Sequence, residues 1–330
     1  MELTILEGNV FDKIKEIPDN SIDLCITSPP YWGLRDYGIE GQLGNEPTME
    51  VYLDNTLKWV KEVYRVLKPS GSFVLNIGDT FFTKRNTKAK EQVDNSLGYK
   101  QYRAGFSEEY GFYKSKQLLS ISSFAYCRII SETDFICRGE HLWCKPNVPS
   151  PIRSRLKHSH EKLFWFVKDA DKYYFDETPW LKDVQNTSLV RNKTGRGKQP
   201  NYGMGREFQA GDFISKDKKT IEHSWRIVSV GERQQGFEIC TERPKSEHIA
   251  PFPSKLIEPY ILSLCPTDGT ILDTFLGSGT TMRVAMENGR NCTGIELNSS
   301  YIDYAKKRVN WKHCLNIEYS EHTMKEGTEG

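Results

Sequence analysis

Short apolar runs alternate with amphipathic ones along most of this chain, and most runs end on turn residues. Leu3 to Leu6 reads as a short strand closed by Gly8-Asn9, and Val10 to Ile17 carries apolar side chains at helical spacing up to Pro18-Asp19-Asn20. The apolar run Ile22-Asp23-Leu24-Cys25-Ile26 is a buried strand that stops abruptly at Thr27-Ser28-Pro29-Pro30-Tyr31-Trp32. A loop follows through Pro47. Met49 to Leu67 then places Val51, Leu53, Leu57, Val60, Val63 and Leu67 at helical period, Pro69-Ser70-Gly71 breaks the pattern, and Ser72 to Ile77 is a second buried strand. Strand, helix and strand in this order predict βαβ units in a parallel sheet.

Thr80 to Leu119 departs from that pattern. Lys84, Arg85, Lys88, Lys90, Lys100, Arg103, Lys114 and Lys116 lie there among Tyr99, Tyr102, Tyr110 and Tyr113, a polar insertion suited to phosphate contacts and stacking, or else a solvated loop. Ile121 to Ser131 predicts a helix. His141 to Lys145 and Lys162 to Val167 predict two strands of an antiparallel pair. From Asp171 to Glu247 the periodicity weakens, and Arg191 to Arg206 is basic without an acid, which marks a separate lobe or inserted recognition region. Order returns with a helix over Ser254 to Leu264, which Ser254 is expected to cap, and a strand over Thr270 to Asp273. A glycine-rich turn, Phe275-Leu276-Gly277-Ser278-Gly279-Thr280-Thr281, leads into a helix from about Met282 to Glu287. Cys292 to Ile295 is a strand ending on Glu296, Ser300 to Val309 a last helix, and the tail beyond Trp311 is expected to fray.

Composition narrows the function classes. A chain of 330 residues fits one large domain with insertions or two modest ones, and a formal net charge of +1 leaves no global basic field, so any nucleic-acid surface must be local. No apolar run approaches a membrane span and the first residues lack a signal-peptide profile, so a soluble, cytoplasmic protein is expected. The eight cysteines are scattered. Only Cys137, His141 and Cys144 cluster, too irregularly for a zinc pattern, so no metal is expected.

Two stretches carry candidate chemistry. In Ser28-Pro29-Pro30-Tyr31-Trp32 the prolines lack N–H donors but keep carbonyl acceptors, beside a hydroxyl and two aromatic rings. Such a turn can accept hydrogen bonds from an amino group while stacking a flat ring, or it is a strand-to-loop corner with core aromatics. The second stretch is the glycine turn, where Glu296 follows Gly277 at close to the ~20-residue spacing of a ribose-binding acid. No Lys follows the glycines and Met282 stands where a third glycine belongs, so a nucleoside fits better than a dinucleotide. If one sheet carries both turns, both sit at its carboxyl edge, where α/β proteins bind ligands.

These stretches, with Asn76-Ile77-Gly78-Asp79, Trp143-Cys144-Lys145-Pro146-Asn147, His160-Glu161, Phe252-Pro253 with Lys255, and Gly294-Ile295-Glu296-Leu297, resemble the S-adenosylmethionine-dependent amino-group DNA methyltransferases in their circularly permuted, beta-class arrangement. Methyltransferases acting on protein glutamine carry a similar Asn-Pro-Pro-Tyr, but after the cofactor motif. The resemblance implies a Rossmann-like α/β sheet, mostly parallel with an antiparallel hairpin and helices on both faces. It divides the chain into a catalytic half (1–170, with the basic insertion at about 80–119), a target-recognition region (171–247), a cofactor-binding half of the same catalytic domain (248–312) and a tail (313–330).

The same resemblance implies roles. Ser28, Pro29, Pro30 and Tyr31 would form the acceptor-base pocket, with Ser28 and the Pro29 carbonyl accepting from the amino group and Tyr31, joined by Trp32, stacking on a flipped base. Glu296 would hold the ribose of S-adenosylmethionine, Gly277 and Gly279 its methionine portion, and Thr280 and Lys255 its carboxylate. Phe275 and Asp273 belong to the same stretch, Asp273 ordering the turn. Many relatives have Gly-Asp where this chain has Gly8-Asn9, which makes Asn9 a candidate near the adenine. Lys84, Arg85, Arg191, Lys193, Arg196 and Lys198 are candidate contacts to double-stranded DNA, and a cognate restriction endonuclease acting separately is an implied partner. Ser28 leans toward N4 of cytosine, with N6 of adenine as the alternative. A nicotinamide- or flavin-dependent oxidoreductase would explain the glycine turn and Glu296 but not Ser28-Pro29-Pro30-Tyr31. A non-catalytic DNA-binding module and an RNA or protein methyltransferase are the other rivals.

Overall fold

The computed structural model describes residues 1–34, 36–82, 92–93, 100–101, 113–114, 116–144, 158, 160–183, 219–221, 252–309 and 317–320. In chain order the first elements are β1 (Leu3–Glu7), α1 (Val10–Lys13), β2 (Ile22–Thr27), α2 (Met49–Val66) and β3 (Leu67–Ile77). Next come β4 (Gln92–Val93), β5 (Lys100–Gln101), α3 (Ile121–Glu132), β6 (Ile136–Cys144), β7 (His160–Val167), β8 (Leu181–Asp183) and β9 (Lys219–Ile221). The last are α4 (Ser254–Leu264), β10 (Thr270–Asp273), α5 (Thr280–Glu287), β11 (Asn291–Glu296), α6 (Ser299–Arg308) and β12 (Ile317–Ser320).

Residues 1–175 and 237–330 form one compact unit, and Asp176–Gly236 a second. In the second, β8 and β9 pair antiparallel. The first is built on an eight-stranded sheet in the order β12-β1-β11-β10-β2-β3-β7-β6. Within it only β7 runs against the rest, antiparallel to both β3 and β6. This is the α/β sheet with an antiparallel hairpin that the pattern predicts. Every residue of β2 is buried, as a strand covered on both faces must be. The helices pack in two groups, α1 with α2 and α3, and α4 with α5 and α6.

Local chemistry sets the boundaries. Thr48 caps α2 by accepting from the Val51 amide at 3.0 Å, and the helix buries Tyr52, Leu53, Leu57, Trp59, Val60 and Val63. Trp59 meets Phe73 of β3 edge-on at 6.1 Å, and Phe73 stacks on Phe166 of β7 at 5.7 Å. These three rings tie helix to sheet, and full burial of such a side chain is worth about 1.5–3 kcal/mol.

Several details differ from the sequence pattern, among them the start of β6 at Ile136, ahead of the expected His141. Strand β3 begins at Leu67, and its pairing with β2 jumps from Ile22↔Leu67 to Leu24↔Ser72, so Lys68 to Gly71 bulge out of register. The helix after Gly8-Asn9 is α-helical only to Lys13 and tightens into a 3-10 turn over Ile14–Glu16. Ser254 does not cap α4. Pro253 holds the N-cap position, and the Ser254 hydroxyl accepts from Arg283 of α5. The tail, expected to fray, contributes β12, which pairs parallel with β1 and satisfies an edge that would otherwise be open.

The insertion after Asp79 is closed at its base. Phe81 and Leu118 form an antiparallel bridge, with the Phe82 amide on the Gln117 carbonyl at 2.7 Å and the Leu119 amide on the Thr80 carbonyl at 3.0 Å. Lys84 and Arg85 within it, and Arg191, Lys193, Arg196 and Lys198 farther on, lie outside the described residues, as does most of the span 171–247.

Candidate active site

The two candidate turns meet because their strands are neighbours. Strands β10 and β2 pair in parallel, Ile271 beside Leu24 and Leu272 beside Cys25, so both chains leave the sheet at the same edge. Buried side chains then tie the exits together. The Thr27 hydroxyl donates to Asp273 at 2.7 Å, the Thr281 hydroxyl donates to the other carboxylate oxygen at 2.6 Å, and the Phe275 amide reaches the first at 3.1 Å. The Thr274 hydroxyl donates to the Thr27 oxygen at 3.2 Å. Burial raises the level at which Asp273 protonates, and those three donors pull it back toward the carboxylate. Burial, with Asp273 adding to it, holds the Cys25 and Cys292 thiols well above their ordinary range, so neither supplies a thiolate nucleophile.

The turn after β2 is held by side chains from three distant elements. Tyr52 of α2 donates its hydroxyl to the Pro30 carbonyl at 3.1 Å. The Tyr31 hydroxyl lies 2.9 Å from a carboxylate oxygen of Glu161 on β7 and 3.3 Å from the amide oxygen of Asn76 on β3. Asn76 is oriented by donating from its amide nitrogen to the Lys162 carbonyl at 3.2 Å. The Ser28 hydroxyl sits 3.2 Å from the same Tyr31 oxygen. Gly78 lets the ring in, since a β-carbon there would stand 2.6 Å from it. Burial, and for Tyr31 also the Glu161 charge, raises both phenols well above their ordinary range, so both stay protonated.

This geometry divides the four residues of the proline turn. Among the described residues, no hydrogen bond reaches the Pro29 carbonyl, whereas the Pro30 carbonyl is already used by Tyr52. The Pro30 carbonyl thus already accepts one hydrogen bond, from Tyr52, and the Pro29 carbonyl is open to another donor. Trp32 needs correction as a stacking or DNA-contacting residue. Only 1% of it is exposed, its indole N–H donates to the Glu46 carbonyl at 2.9 Å, and its ring meets Tyr113 edge-on at 6.4 Å. An indole packed in the core with its donor satisfied cannot also stack on a base.

The glycine turn is held by its own strand ends. The Glu296 carboxylate, at the end of β11, accepts from the Gly277 amide at 2.7 Å and the Asn298 amide at 2.8 Å. Burial, against those two donors, pushes its carboxyl up to about 7. Gly277 and Gly279 take φ of +54° and +78°, where L side chains are strained, and a β-carbon on Gly279 would stand 2.8 Å from Ala305 of α6. Gly279 is thus required for packing α6. Thr280 begins α5, and its buried hydroxyl accepts from Arg308. Phe275 is partly buried and meets Trp59 edge-on at 5.2 Å. Lys255 is exposed in the first turn of α4.

Asn9 is near this turn, because the Gly8 amide donates to the Glu296 carbonyl at 2.9 Å. Both ends of its amide have structural partners. Its oxygen caps α1 by accepting from Phe11 at 3.0 Å and its nitrogen donates to the Gly41 carbonyl at 3.0 Å.

Asn76, Glu161 and Tyr52 were given no role by sequence reasoning, although Asn76 had left a signal as an amide inside the apolar run Phe73 to Ile77. Of the histidines near the hairpin, His158 and His160 approach each other at 4.5 Å between ring centres, and His141 bonds Tyr260 at 2.6 Å. Among the described residues, no three His, Cys, Asp or Glu side chains are grouped to hold a metal, and no helix is long and apolar enough to cross a membrane.

Known proteins place this arrangement in a family. The family described as DNA methylase, which joins N6 and N4 methyltransferases, matches residues 22–307. The type II methyltransferase M.Cfr9I of Citrobacter freundii is 30% identical over 307 residues, covering 93% of this chain and 87% of its own. Among solved structures, the cytosine-N4-specific PvuII DNA methyltransferase superposes with a TM-score of 0.57 at 22% identity, covering 93% of this chain and 86% of that one. A Thermus thermophilus protein solved with S-adenosyl-L-methionine also reaches 0.57, at 20% identity and with 97% and 100% covered. With the family matched from β2 to α6, the chain belongs to the N6/N4 DNA methylases.

Proposed function

We propose that this protein transfers a methyl group from S-adenosylmethionine to the exocyclic N4 of a cytosine flipped out of double-stranded DNA, as the modification enzyme of a restriction–modification pair. The observation that carries the reading is the Ser28-Pro29 corner at the end of β2, tied through Thr27 and Asp273 to the glycine turn of the neighbouring strand. A hydroxyl and a carbonyl are both acceptors, and an exocyclic amino group offers two hydrogens. With Ser28 accepting one and Pro29 the other, the amino nitrogen is drawn toward a pyramidal shape and its lone pair is aimed across the turn. The gain is orientation and electrostatic preorganisation. Tyr31, held by its hydroxyl, presents its ring to the extruded base.

The residues at the glycine turn fit a nucleoside donor. The half-buried Glu296 carboxyl at about 7 takes backbone amides and still has lone pairs that ribose hydroxyls would meet. Gly277 and Gly279 are assigned the methionine portion of the donor, and Thr280 and Lys255 its carboxylate. When bound, S-adenosylmethionine supplies an electrophilic methyl for in-line displacement by nitrogen. No cysteine adduct is needed.

Acceptor motif before cofactor motif supports the permuted, beta-class arrangement. The span 171–247 is assigned target recognition, with Arg191, Lys193, Arg196 and Lys198, and with Lys84 and Arg85 of the basic insertion, on phosphates. A neutral hydroxyl at position 28, where a carboxylate would lean toward adenine, favours cytosine, as does the likeness to a cytosine-N4-specific enzyme. The deciding experiment is to methylate DNA in vitro, hydrolyse it to nucleosides and weigh the product. N4-methylcytosine is expected. N6-methyladenine would overturn the choice of base and keep the mechanism, and no transfer with reduction of a nicotinamide or flavin would overturn the class.

A further inference from the structure

The hydrogen bonds around Tyr31 have a direction. Its single hydroxyl proton has two acceptors, the Glu161 carboxylate at 2.9 Å and the Asn76 amide oxygen at 3.3 Å. Asn76 cannot turn its amide nitrogen to Tyr31 without losing the bond it donates to the Lys162 carbonyl. The Tyr31 proton is therefore donated to this pair and not to Ser28. What faces Ser28 is a phenol lone pair 3.2 Å away, and the Ser28 hydroxyl must be the donor in that contact.

We propose that Glu161 is a positioning residue that acts through Tyr31 to make Ser28 a pure acceptor for the substrate amino group. A serine hydroxyl can instead turn its hydrogen toward an amine and donate it to the nitrogen lone pair, which would occupy the electrons that attack the methyl. With its hydrogen committed to Tyr31, Ser28 shows only lone pairs to the N–H bonds. The Glu161 carboxylate offers no hydrogen of its own, so the Tyr31 proton stays with it and the sequence Ser28 to Tyr31 to Glu161 keeps one sense. The framework supports this alignment. Glu161 enters opposite the end of β3, since Ile77 pairs with Lys162, and Gly78 leaves the space in which the Tyr31 ring and the Glu161 side chain meet. A hydroxyl misaimed at an attacking nitrogen is an error of orientation, and errors of that kind cost up to about a hundredfold in rate.

The inference rests on the amino-transfer reading above, and its test separates the two. Methyl transfer to DNA and S-adenosylmethionine binding are measured on the full-length protein and on Glu161→Ala, Glu161→Gln, Tyr31→Phe and the double variant Tyr31→Phe/Glu161→Ala. Glu161→Ala should lower kcat by about tenfold or more with cofactor affinity unchanged, and Glu161→Gln, whose amide oxygen still accepts, should recover most of the loss. The double variant should be no slower than Tyr31→Phe alone, because the effect of Glu161 on the reaction passes through the Tyr31 hydroxyl. Should the Ala variant fail to fold, Glu161→Met keeps the bulk without an acceptor oxygen and replaces it in both comparisons. Losses that multiply in the double variant, a Gln variant as slow as Ala, or normal kcat without Glu161 would overturn the proposal. A wild-type protein that methylates no DNA base overturns the function instead.

Discussion

The turn after β2 and the turn after β10 leave neighbouring strands side by side, yet they are stiffened by different means. Around Ser28-Pro29-Pro30-Tyr31 the restraints come from afar, from Tyr52, Asn76 and Glu161, each a single neutral or charge-assisted hydrogen bond to one atom of the turn. Around Asp273 to Thr281 they are mostly local, two carboxylates collecting backbone amides and hydroxyls while Gly277 and Gly279 supply left-handed backbone. A turn held from afar can lose one bond and remain a turn, only less well aimed. A turn built on a buried carboxylate loses its scaffold when that carboxylate goes. Damage to the first should appear in rate, damage to the second in stability and cofactor affinity.

The largest effect is expected at Asp273, where the halves of this comparison are joined. Asp273→Ala leaves the Thr27 and Thr281 hydroxyls and the Phe275 amide without their acceptor in a dry site, which should cost about 3 kcal/mol or more in a denaturant titration. A variant of wild-type stability would show that the two turns stand independently. Next in size is Ser28→Ala, for which kcat should fall by about a hundredfold while S-adenosylmethionine affinity stays within about twofold. Loss of cofactor binding with normal turnover at saturation would erase the distinction between the turns.

Glu296 sharpens the comparison from the cofactor side. With its carboxyl at about 7, the group is largely protonated on the acid side of that value, and ligand hydroxyls bind the charged form better. Binding then requires loss of a proton at low pH, so affinity should weaken as pH falls from about 8 to about 6, by calorimetry in buffers of different ionisation heat. Glu296→Gln should flatten that dependence and weaken binding by about tenfold. The same raised value has a cost in folding. Between the ordinary 4.5 and about 7 the folded chain holds a proton the unfolded chain releases, so this group's contribution to stability is lost as pH rises through that window. The smallest effect is expected from Tyr52→Phe, which frees the Pro30 carbonyl. It should lower stability by about 1 kcal/mol and slow transfer only a few-fold. A loss as large as that of Ser28→Ala would mean that the Pro30 carbonyl has a direct part in the reaction.

Much of the fold was legible because it depends on local pattern. The β2 and β10 runs and the antiparallel pair appear in the order the apolar spacing and breakers predict, although β6 begins at Ile136, ahead of His141, and Pro69-Ser70-Gly71 bulges inside β3 where the pattern predicts a break before the strand. Capping was less legible. Ser254 has the chemistry of an N-cap, but Pro253 starts the helix and Arg283 claims the hydroxyl. Trp32 misled for a related reason, since an aromatic ring beside Tyr31 reads the same whether it faces a ligand or the core.

What the amino-acid sequence determined by itself is the pair of turns and their chemistry, since prolines, glycines and short apolar runs act on backbone only a few residues away. Which turn stands beside which, and what each hydroxyl faces, was decided by tertiary structure. Asp273 meets Thr27 across 246 positions, and Glu161 meets Tyr31 across 130, because parallel pairing of β10 with β2 and antiparallel pairing of β7 with β3 bring those ends together. Hydrogen-bond direction depends on all the partners of an atom at once, and those partners converge only in the folded chain.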